Sequence, residues 1–202
     1  VFSTNKNDIK KYLAKWGIHC PIVYAKHHKS HAAYGFYTSG MSNAMVMCID
    51  SIGEYETFTI WEGYNDTLVK RYSQSYPHSI GLFYSAMTKR IGLVPNRDEY
   101  AVEGLGRDIA TSENLELVND MISTFIADPL DGSIPGVKFK HNLHKGAQWY
   151  KPELTTESDL RRLANATQFV FELMIKSNSK WILENFHSRN LKWPRLAKNC
   201  RT

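Results

Sequence analysis

Apolar residues recur at the spacing of an α-helix in several separate stretches of the chain. The clearest stretch is residues 79–91, where one face carries the apolar side chains Ile80, Phe83, Tyr84, Met87 and Ile91. Gly92 follows this stretch, as glycine commonly does where a helix ends. The other predicted helices cover residues 8–16, 30–37 and 115–125, and a long stretch from residue 158 to beyond Trp181. At the start of that long stretch, Thr156 and Asp159 have the spacing of a capping box.

Shorter apolar runs between these helices predict β-strands. Residues 44–49 are apolar throughout, which is typical of a central strand covered on both faces. Residues 57–61 and 67–73 are separated by turn-prone residues 63–66, and we expect them to form a hairpin. A short buried strand is predicted at residues 21–25, and loops are predicted at 95–100, 104–106 and 129–146. This order of elements predicts an α/β domain with a mixed sheet flanked by helices.

Length and composition fit a folded domain or part of a larger one. The chain has 202 residues, of which 43% are hydrophobic, so a sizeable core is available. The net charge of +5 is mild and the basic residues are scattered, which suits a small anionic ligand better than nucleic acid. Nucleic-acid binding is therefore not expected. The basic C-terminal stretch, residues 192–202, is predicted to be a solvated tail.

Cysteine usage and hydropathy indicate a cytoplasmic protein. Cys20, Cys48 and Cys200 are odd in number and lack CxxC spacing, so neither a disulfide framework nor a zinc finger is predicted. The sequence shows no signal peptide and no apolar run long enough to cross a bilayer, so membrane association is not expected. Because the chain opens with Val1 rather than methionine, we expect a fragment or a trimmed form of a longer protein.

A cluster of histidines is the strongest candidate for chemistry. His27, His28 and His31 lie within one short stretch, and Asp50 ends the apolar run 44–49. If the histidine stretch is helical, His27 and His31 at positions i and i+4 share one face. These two imidazoles and the Asp50 carboxylate would form a divalent-metal site. His28 is an alternative ligand because it is i, i+3 to His31, and a supporting role beside the metal is the other interpretation of it.

Ser79 has two interpretations that stay open at the level of sequence. It precedes the clearest predicted helix and is a good N-cap residue type. The start of a helix also favours anionic ligands, so Ser79 is a candidate contact for a phosphate group as well.

Four runs of sequence stand out in order along the chain. They are residues 27–36 (HHKSHAAYGF), 50–54 (DSIGE), 76–85 (YPHSIGLFYS) and 98–105 (DEYAVEGL). Together they resemble the O-carbamoyltransferases of the nodulation-protein and antibiotic-tailoring type. In that family the corresponding runs are close to HHxSHAASAF, DGVGEW, FPHSLGLLYS and GEYKVMGLA. One such run alone would be weak, but four in order make the resemblance specific.

The resemblance implies a fold and a reaction. Residues 1–191 would be part of an actin-like, sugar-kinase-like ATPase domain that binds a metal and a nucleotide. Members of the family use ATP and carbamoyl phosphate to form a carbamoyl-adenylate, and then transfer the carbamoyl group to a hydroxyl of a small-molecule substrate. The identity of that acceptor and the oligomeric state stay open.

The resemblance also implies roles for individual residues. The family's metal ligands, usually to iron and alternatively to zinc, match His27, His31 and Asp50. Its nucleotide-contacting turn matches Ser51, Ile52, Gly53 and Glu54. Among these, Asp50 and Glu54 would be catalytic.

Two further residues would contact the cofactor, which in this family is ATP or the carbamoyl-adenylate. Ser79 is one of them. Glu99 is the other, because the matching loop of the family lines the adenine or ribose side of the cleft.

The chain also departs from the family pattern. Ser51 stands where the family has glycine, which permits backbone dihedrals that serine resists. The family's phosphate-loop strand and catalytic His-Asp would lie before Val1, and its GGVALN segment and carbamoyl-phosphate-processing domain would follow residue 191. We therefore expect a fragment that does not catalyse alone. The alternatives are a tRNA threonylcarbamoyl transferase, which would carry a GEAFDK-like run after the hairpin, and a non-catalytic binding fragment of the same fold.

Overall fold

The computed structural model describes residues 6–186, which form six α-helices and a three-stranded sheet. In chain order the elements are α1 (Lys6–Lys15), α2 (His27–Thr38), β1 (Asn43–Gly53), β2 (Glu56–Tyr64), β3 (Thr67–Ser75), α3 (Ile80–Arg90), α4 (Glu99–Leu105), α5 (Leu115–Phe125) and α6 (Glu157–Phe186). Short 3-10 turns lie at Thr111–Asn114 and Leu143–Lys145. The predicted basic tail, residues 192–202, lies outside the described residues.

The sheet is antiparallel with strand order β1-β2-β3, so the predicted mixed sheet is wrong for the described part of the chain. The reason is the length of the connections, since residues 54–55 join β1 to β2 and residues 65–66 join β2 to β3. Such short links form antiparallel hairpins, whereas a parallel pair needs a crossover of about a dozen residues or more. The predicted hairpin is confirmed as β2 and β3. The actin-like arrangement stays a prediction.

The sequence predicts β1 as a central strand, but among the described residues it lies at an edge of the sheet. Cys48 packs with Ala32 of α2 in a small core on one face. Met47 and Ile49 face the larger core on the other side, which contains α3. Both faces of β1 are therefore covered, which explains why residues 44–49 are apolar throughout although only one strand of the described chain pairs with β1.

The larger core lies between the sheet and helices α3, α5 and α6, and its buried side chains include Phe58, Phe83, Met121 and Met174. Helix α2 covers the opposite face of the sheet. The starts of α2 and α3 nevertheless meet at the same end of β1, because His27 contacts the Asp50 side chain and Ser79 contacts the Ser51 backbone. This end of β1 is where the candidate site forms.

Most of the predicted helices are confirmed with small shifts of their ends, as α1, α3, α5 and α6. The capping box of α6 is confirmed as well. Asp159 N donates to Thr156 Oγ1 at 3.2 Å, and Thr156 N donates to Asp159 Oδ2 at 3.1 Å. No helix within residues 6–186 combines the length and the apolar character that crossing a membrane requires.

Two local predictions are wrong. Residues 21–25 form no strand, and Val23 is 92% exposed, because this run pairs with no strand of the described chain. Residues 99–100 and 104–105 lie in α4 and not in loops. Val102 is fully buried, so its contacts with the core stabilise this short helix in a way that the polar sequence around it does not reveal.

Candidate metal centre and adjoining groove

Helix α2 begins at His27, earlier than predicted, and its first turns set the geometry of the site. His27 and His31 lie on one face of α2 and approach Asp50 near the end of β1. The Nε2 atom of His27 lies 2.6 Å from Oδ2 of Asp50 and 2.9 Å from Nε2 of His31. The Nε2 atom of His31 lies 3.9 Å from the same carboxylate oxygen. The structure thus brings together the three residues that the sequence predicts as metal ligands, and we call them the metal trio.

The donor atoms of the metal trio fit a divalent cation better than a set of hydrogen bonds. A neutral imidazole nitrogen carries either a proton or a lone pair, so Nε2 of His27 cannot donate to Asp50 and accept from His31 at once. A cation takes a lone pair from each atom. Two ligand atoms that each lie about 2.1 Å from a metal, with an angle of about 90° at the metal, are about 3.0 Å apart. The observed separations between the three ligand atoms are 2.6, 2.9 and 3.9 Å, which lie on both sides of that value. Two histidines and one carboxylate suit iron(II) first and zinc second.

Asp50 is oriented by the backbone of its own strand. Its Oδ1 atom accepts a hydrogen bond from the Ser51 amide at 2.7 Å, which leaves Oδ2 directed at the histidines. The side chain of Asp50 is 29% exposed, whereas those of His27 and His31 are 43% and 57% exposed. The metal trio is therefore open to a further ligand. The Ser51 amide is engaged with Asp50 and is not free to bind a phosphate.

His28 lies on the side of α2 that faces the sheet and is fully buried. Its Nε2–H donates to the Glu56 carbonyl at 3.0 Å, so its Nδ1 accepts from the Thr59 hydroxyl at 2.9 Å. The Trp61 indole N–H donates in turn to the Thr59 oxygen at 2.8 Å. Burial lowers the pKa of His28, which favours the neutral ring that this arrangement requires. Both ring nitrogens are engaged, so His28 anchors α2 on β2 and is no longer an alternative ligand.

The other predicted site residues lie at the end of β1 and in the turn that follows. Ser51, Ile52 and Gly53 belong to β1, where the sequence predicts a turn, and only Glu54 lies in the turn. Ser51 does not have a positive φ, so the backbone strain expected from its replacement of glycine does not arise there; Glu54 has the left-handed φ of 61°. Ile52 packs against the larger core. Gly53 lies so close to the metal trio that an added Cβ atom would be 2.8 Å from Cδ2 of His28 and 3.0 Å from Oδ2 of Asp50. The absence of a side chain at Gly53 therefore allows the turn to pack beneath α2.

Ser79 joins the start of α3 to the end of β1. Its hydroxyl oxygen accepts a hydrogen bond from Leu82 N at 3.0 Å. The same hydroxyl donates toward the carbonyl oxygens of Ser51 and Asp50, which lie 2.8 Å and 3.1 Å from Oγ of Ser79. The residue is 1% exposed. The structure therefore supports the N-cap interpretation, and it leaves the hydroxyl no spare proton for a nucleotide. A cofactor contact by Ser79 stays a prediction that this geometry does not favour.

Replacing Ser79 with alanine should lower the free energy of unfolding by about 1–2 kcal/mol, which is the usual cost of losing a helix N-cap. Chemical denaturation measures this change. The control is Ser123→Ala, which removes an exposed hydroxyl from α5 and should change stability by less than about 0.5 kcal/mol. Unchanged stability together with weaker nucleotide binding in Ser79→Ala would instead favour the ligand-contact interpretation.

A groove begins at Ser51 and runs between α3, α4 and α6. Its first part is a cavity of about 560 Å³, lined by residues that include Ser51, Gly81 and Glu99. Its second part, of about 810 Å³, shares Tyr100, Glu103 and Gln168 with the first. Gly81 lets the start of α3 approach closely, since an added Cβ atom would be 2.8 Å from Ser51 N. The partial positive charge of this helix terminus favours an anion at the Ser51 end of the groove.

Glu99 lies on the groove, and its contact with a cofactor stays a prediction. Its carboxylate accepts hydrogen bonds from the Ser85 hydroxyl at 3.0 Å and from Asn96 N at 2.6 Å. These contacts hold the side chain at the start of α4, on the rim of the first cavity. The structure therefore places Glu99 on the same groove as Ser51 but on a different element from the metal trio.

The groove also contains residues that sequence reasoning missed. The Tyr84 hydroxyl donates to Oε1 of Gln168 at 2.9 Å, which links α3 to α6. Burial, together with the carboxylates of Glu103, Glu99 and Glu172, raises the pKa of Tyr84 to about 12. The groove is thus rich in carboxylates and aromatic rings. Local spacing offers no signal for this set, because α6 is far from α3 and α4 in the sequence.

Two comparisons with known proteins found similar sequences, and the first of them bears on the resemblance predicted from the sequence. The family model described as carbamoyltransferase N-terminus matches residues 4–192. Over 106 residues the chain is 39% identical to a protein of Synechocystis sp. named Uncharacterized protein sll1178. That match covers 50% of this chain and 17% of the relative, so the chain spans less than a fifth of the length of the curated relative it matches. The predicted resemblance is confirmed, and the chain belongs to the carbamoyltransferase family, of which it carries the N-terminal region.

Proposed function

We propose that this chain supplies the metal and nucleotide site of an ATP-dependent O-carbamoyltransferase that acts on a hydroxyl of a small molecule. The observation that carries the proposal is the convergence of His27, His31 and Asp50, together with a groove that begins at Ser51, the residue after Asp50 in β1. Family membership supports carbamoyl transfer in general. Carbamoyl phosphate is the proposed source of the carbamoyl group.

Most of the groove suits the nucleoside better than its phosphates. Carboxylates such as Glu99 and Glu103 bind ribose hydroxyls in nucleotide sites. Tyr100 is 76% exposed on the groove and offers an aromatic face to the base. The same carboxylates repel phosphate groups, so we place the phosphates at the other end, beside Ser51 and the start of α3. In this orientation the carbamoyl-bearing phosphate lies next to the metal trio.

The transfer step needs an activated carbamoyl group and an acceptor for one proton. The acceptor oxygen forms a bond to the carbamoyl carbon, the bond between that carbon and the phosphate oxygen of the adenylate breaks, and AMP leaves. We assign the hydroxyl proton to the carboxylate of Glu54, which follows Gly53 in the turn. A divalent cation held by His27, His31 and Asp50 would stabilise negative charge on the reacting oxygen atoms.

Calorimetry with AMP and a non-hydrolysable ATP analogue tests the nucleotide site. The wild-type chain is expected to bind both, and Tyr100→Ala should weaken binding about tenfold, equivalent to about 1.4 kcal/mol of lost stacking on the base. Tyr64→Ala is the matched control, because this tyrosine is 61% exposed and lines no part of the groove. Absence of nucleotide binding by the wild type, or equal losses in the two variants, would contradict the proposal.

A further inference from the structure

A second cavity, which we call the basic cavity, adjoins the groove across Ser51, Ser85 and Asn96. Its volume is about 340 Å³, within the roughly 300–1,000 Å³ of small-molecule sites. One wall is a side of α3, and the other walls include residues 95–96 and the 3-10 turn Leu143–Lys145. Ser51 is one residue from Asp50 along β1, so a ligand in this cavity lies beside the strand that carries Asp50 and leaves the groove free.

The basic cavity differs from the groove in its charge. Its lining includes Lys89 and His144 and no acidic residue. The groove, in contrast, is lined by the carboxylates of Glu99, Glu103 and Glu172 and, in its second part, by Arg107. Among the residues that the structure describes, none forms an ion pair with Lys89, so the ammonium group has no carboxylate partner. Two adjoining cavities of opposite character indicate two chemically different ligands, and the basic cavity favours an anion.

The basic side of this cavity is organised by contacts within the protein. His144 N donates to Asn142 Oδ1 at 3.1 Å, and the His144 ring lies edge-on to Tyr76 with ring centroids 6.1 Å apart. The side-chain amide of Asn142 donates in turn to the Tyr76 hydroxyl at 2.6 Å. The remaining wall is largely apolar, with side chains from Ile52, Leu82, Pro95 and Leu143. The cavity thus combines positioned basic groups with a surface for an apolar body.

We propose that the basic cavity binds the hydroxyl-bearing acceptor, and that this acceptor carries an acidic group that contacts Lys89 and His144. The inference rests on the proposed function, because carbamoyl transfer requires a nucleotide and an acceptor to meet at one point. Ser51 lines both cavities, which makes this residue the meeting point, and Asp50 of the metal trio precedes it in β1. The apolar wall takes the body of the acceptor, and the acceptor hydroxyl points toward Ser51.

Titration of the full 202-residue chain with three probes of one carbon skeleton tests this inference. Mandelate carries a hydroxyl, a phenyl ring and a carboxylate, styrene glycol is its neutral analogue, and phenylglycinol is its cationic analogue. Binding is followed through the methyl NMR signals of Ile52, Leu82 and Leu143. Mandelate is expected to bind about fivefold more tightly than styrene glycol, as exposed charge contacts allow, and phenylglycinol is expected to bind most weakly.

A charge variant supplies the matched comparison. Lys89→Gln should weaken mandelate binding by about two- to fivefold and leave the affinity for styrene glycol unchanged. Lys11→Gln removes the same charge from an exposed position on α1 and should change neither affinity.

Several results would overturn the inference. They are equal affinity for the three probes, tightest binding of phenylglycinol, or signal changes only at methyl groups outside the basic cavity. Weaker binding of the ATP analogue but not of AMP by Lys89→Gln would also overturn it, since the cavity would then hold the terminal phosphates of the nucleotide. Failure of the proposed function is distinguished by the nucleotide calorimetry. In that case the wild type would bind neither AMP nor the ATP analogue, whether or not it binds mandelate.

Discussion

Changing Asp50 to asparagine should lower the affinity for iron(II) or zinc by at least about 100-fold, the upper range seen when even a supporting partner of a metal ligand is lost. The asparagine keeps the shape of the side chain and can still accept the hydrogen bond from Ser51. Its oxygen carries no charge, however, and is a weak ligand for a divalent cation. His27→Ala should have a similar effect, because it removes one of the three converging donor atoms. Metal analysis after dialysis, followed by competition with a chelator, measures the loss.

His19→Ala and Asp66→Asn are matched controls, because both residues are exposed and lie outside the metal trio. Saturating metal should stabilise the wild type and both controls against unfolding, by about 2.7 kcal/mol at a metal concentration one hundred times Kd. The same metal should not stabilise Asp50→Asn. Unchanged metal content in both Asp50→Asn and His27→Ala would remove the basis for the ligand assignment.

The second large effect is expected at Gly53. In Gly53→Ala the new methyl group would overlap the His27 ring and would lie 2.8 Å from the His28 ring and 3.0 Å from Oδ2 of Asp50. Relief of these contacts requires the turn and α2 to separate, which should lower the free energy of unfolding by about 1–3 kcal/mol. The same movement separates Asp50 from the two histidines, so metal binding should also be lost.

Gly104→Ala is the control for this substitution. Gly104 lies in α4, where an added Cβ atom meets nothing within 4 Å, so alanine should leave stability unchanged or raise it by up to about 1 kcal/mol. Denaturation and metal titration of the two variants separate a general effect of removing glycine from an effect specific to the turn. Metal affinity like that of the wild type in Gly53→Ala would show that the close packing of this turn is not needed.

The metal trio and the fold depend on each other through α2. His27 and His31 approach Asp50, while His28, which faces the sheet, is held by Glu56 and Thr59 of β2. The hydrogen bonds of His28 therefore position the helix whose preceding residue, His27, belongs to the metal trio. The histidines of this one stretch thus have two roles. His28 faces the sheet and anchors the helix, whereas His27 and His31 face Asp50 and are the candidate metal ligands.

The sequence by itself determined most of the local elements and identified the residues of the metal trio as candidate ligands. Helices α3 and α6 and the β2–β3 hairpin follow from periodicity and turn chemistry, because these are properties of residues close together in the chain. His27 and His31 share a face for the same reason, since i, i+4 spacing has this consequence in any α-helix. The family was also evident from four short runs, and the family match confirms it.

Only the tertiary structure decided which side of each element is buried and what it meets. The place of β1 at the edge of an antiparallel sheet depends on its pairing with β2 and on the helices that cover it. The role of His28 depends on Glu56 and Thr59, and the helical state of Glu99 depends on the burial of Val102. The groove and the basic cavity likewise arise between elements far apart in the chain. Spacing along a helix shows which residues share a face, but only long-range packing shows whether that face meets a sheet, a ligand or water.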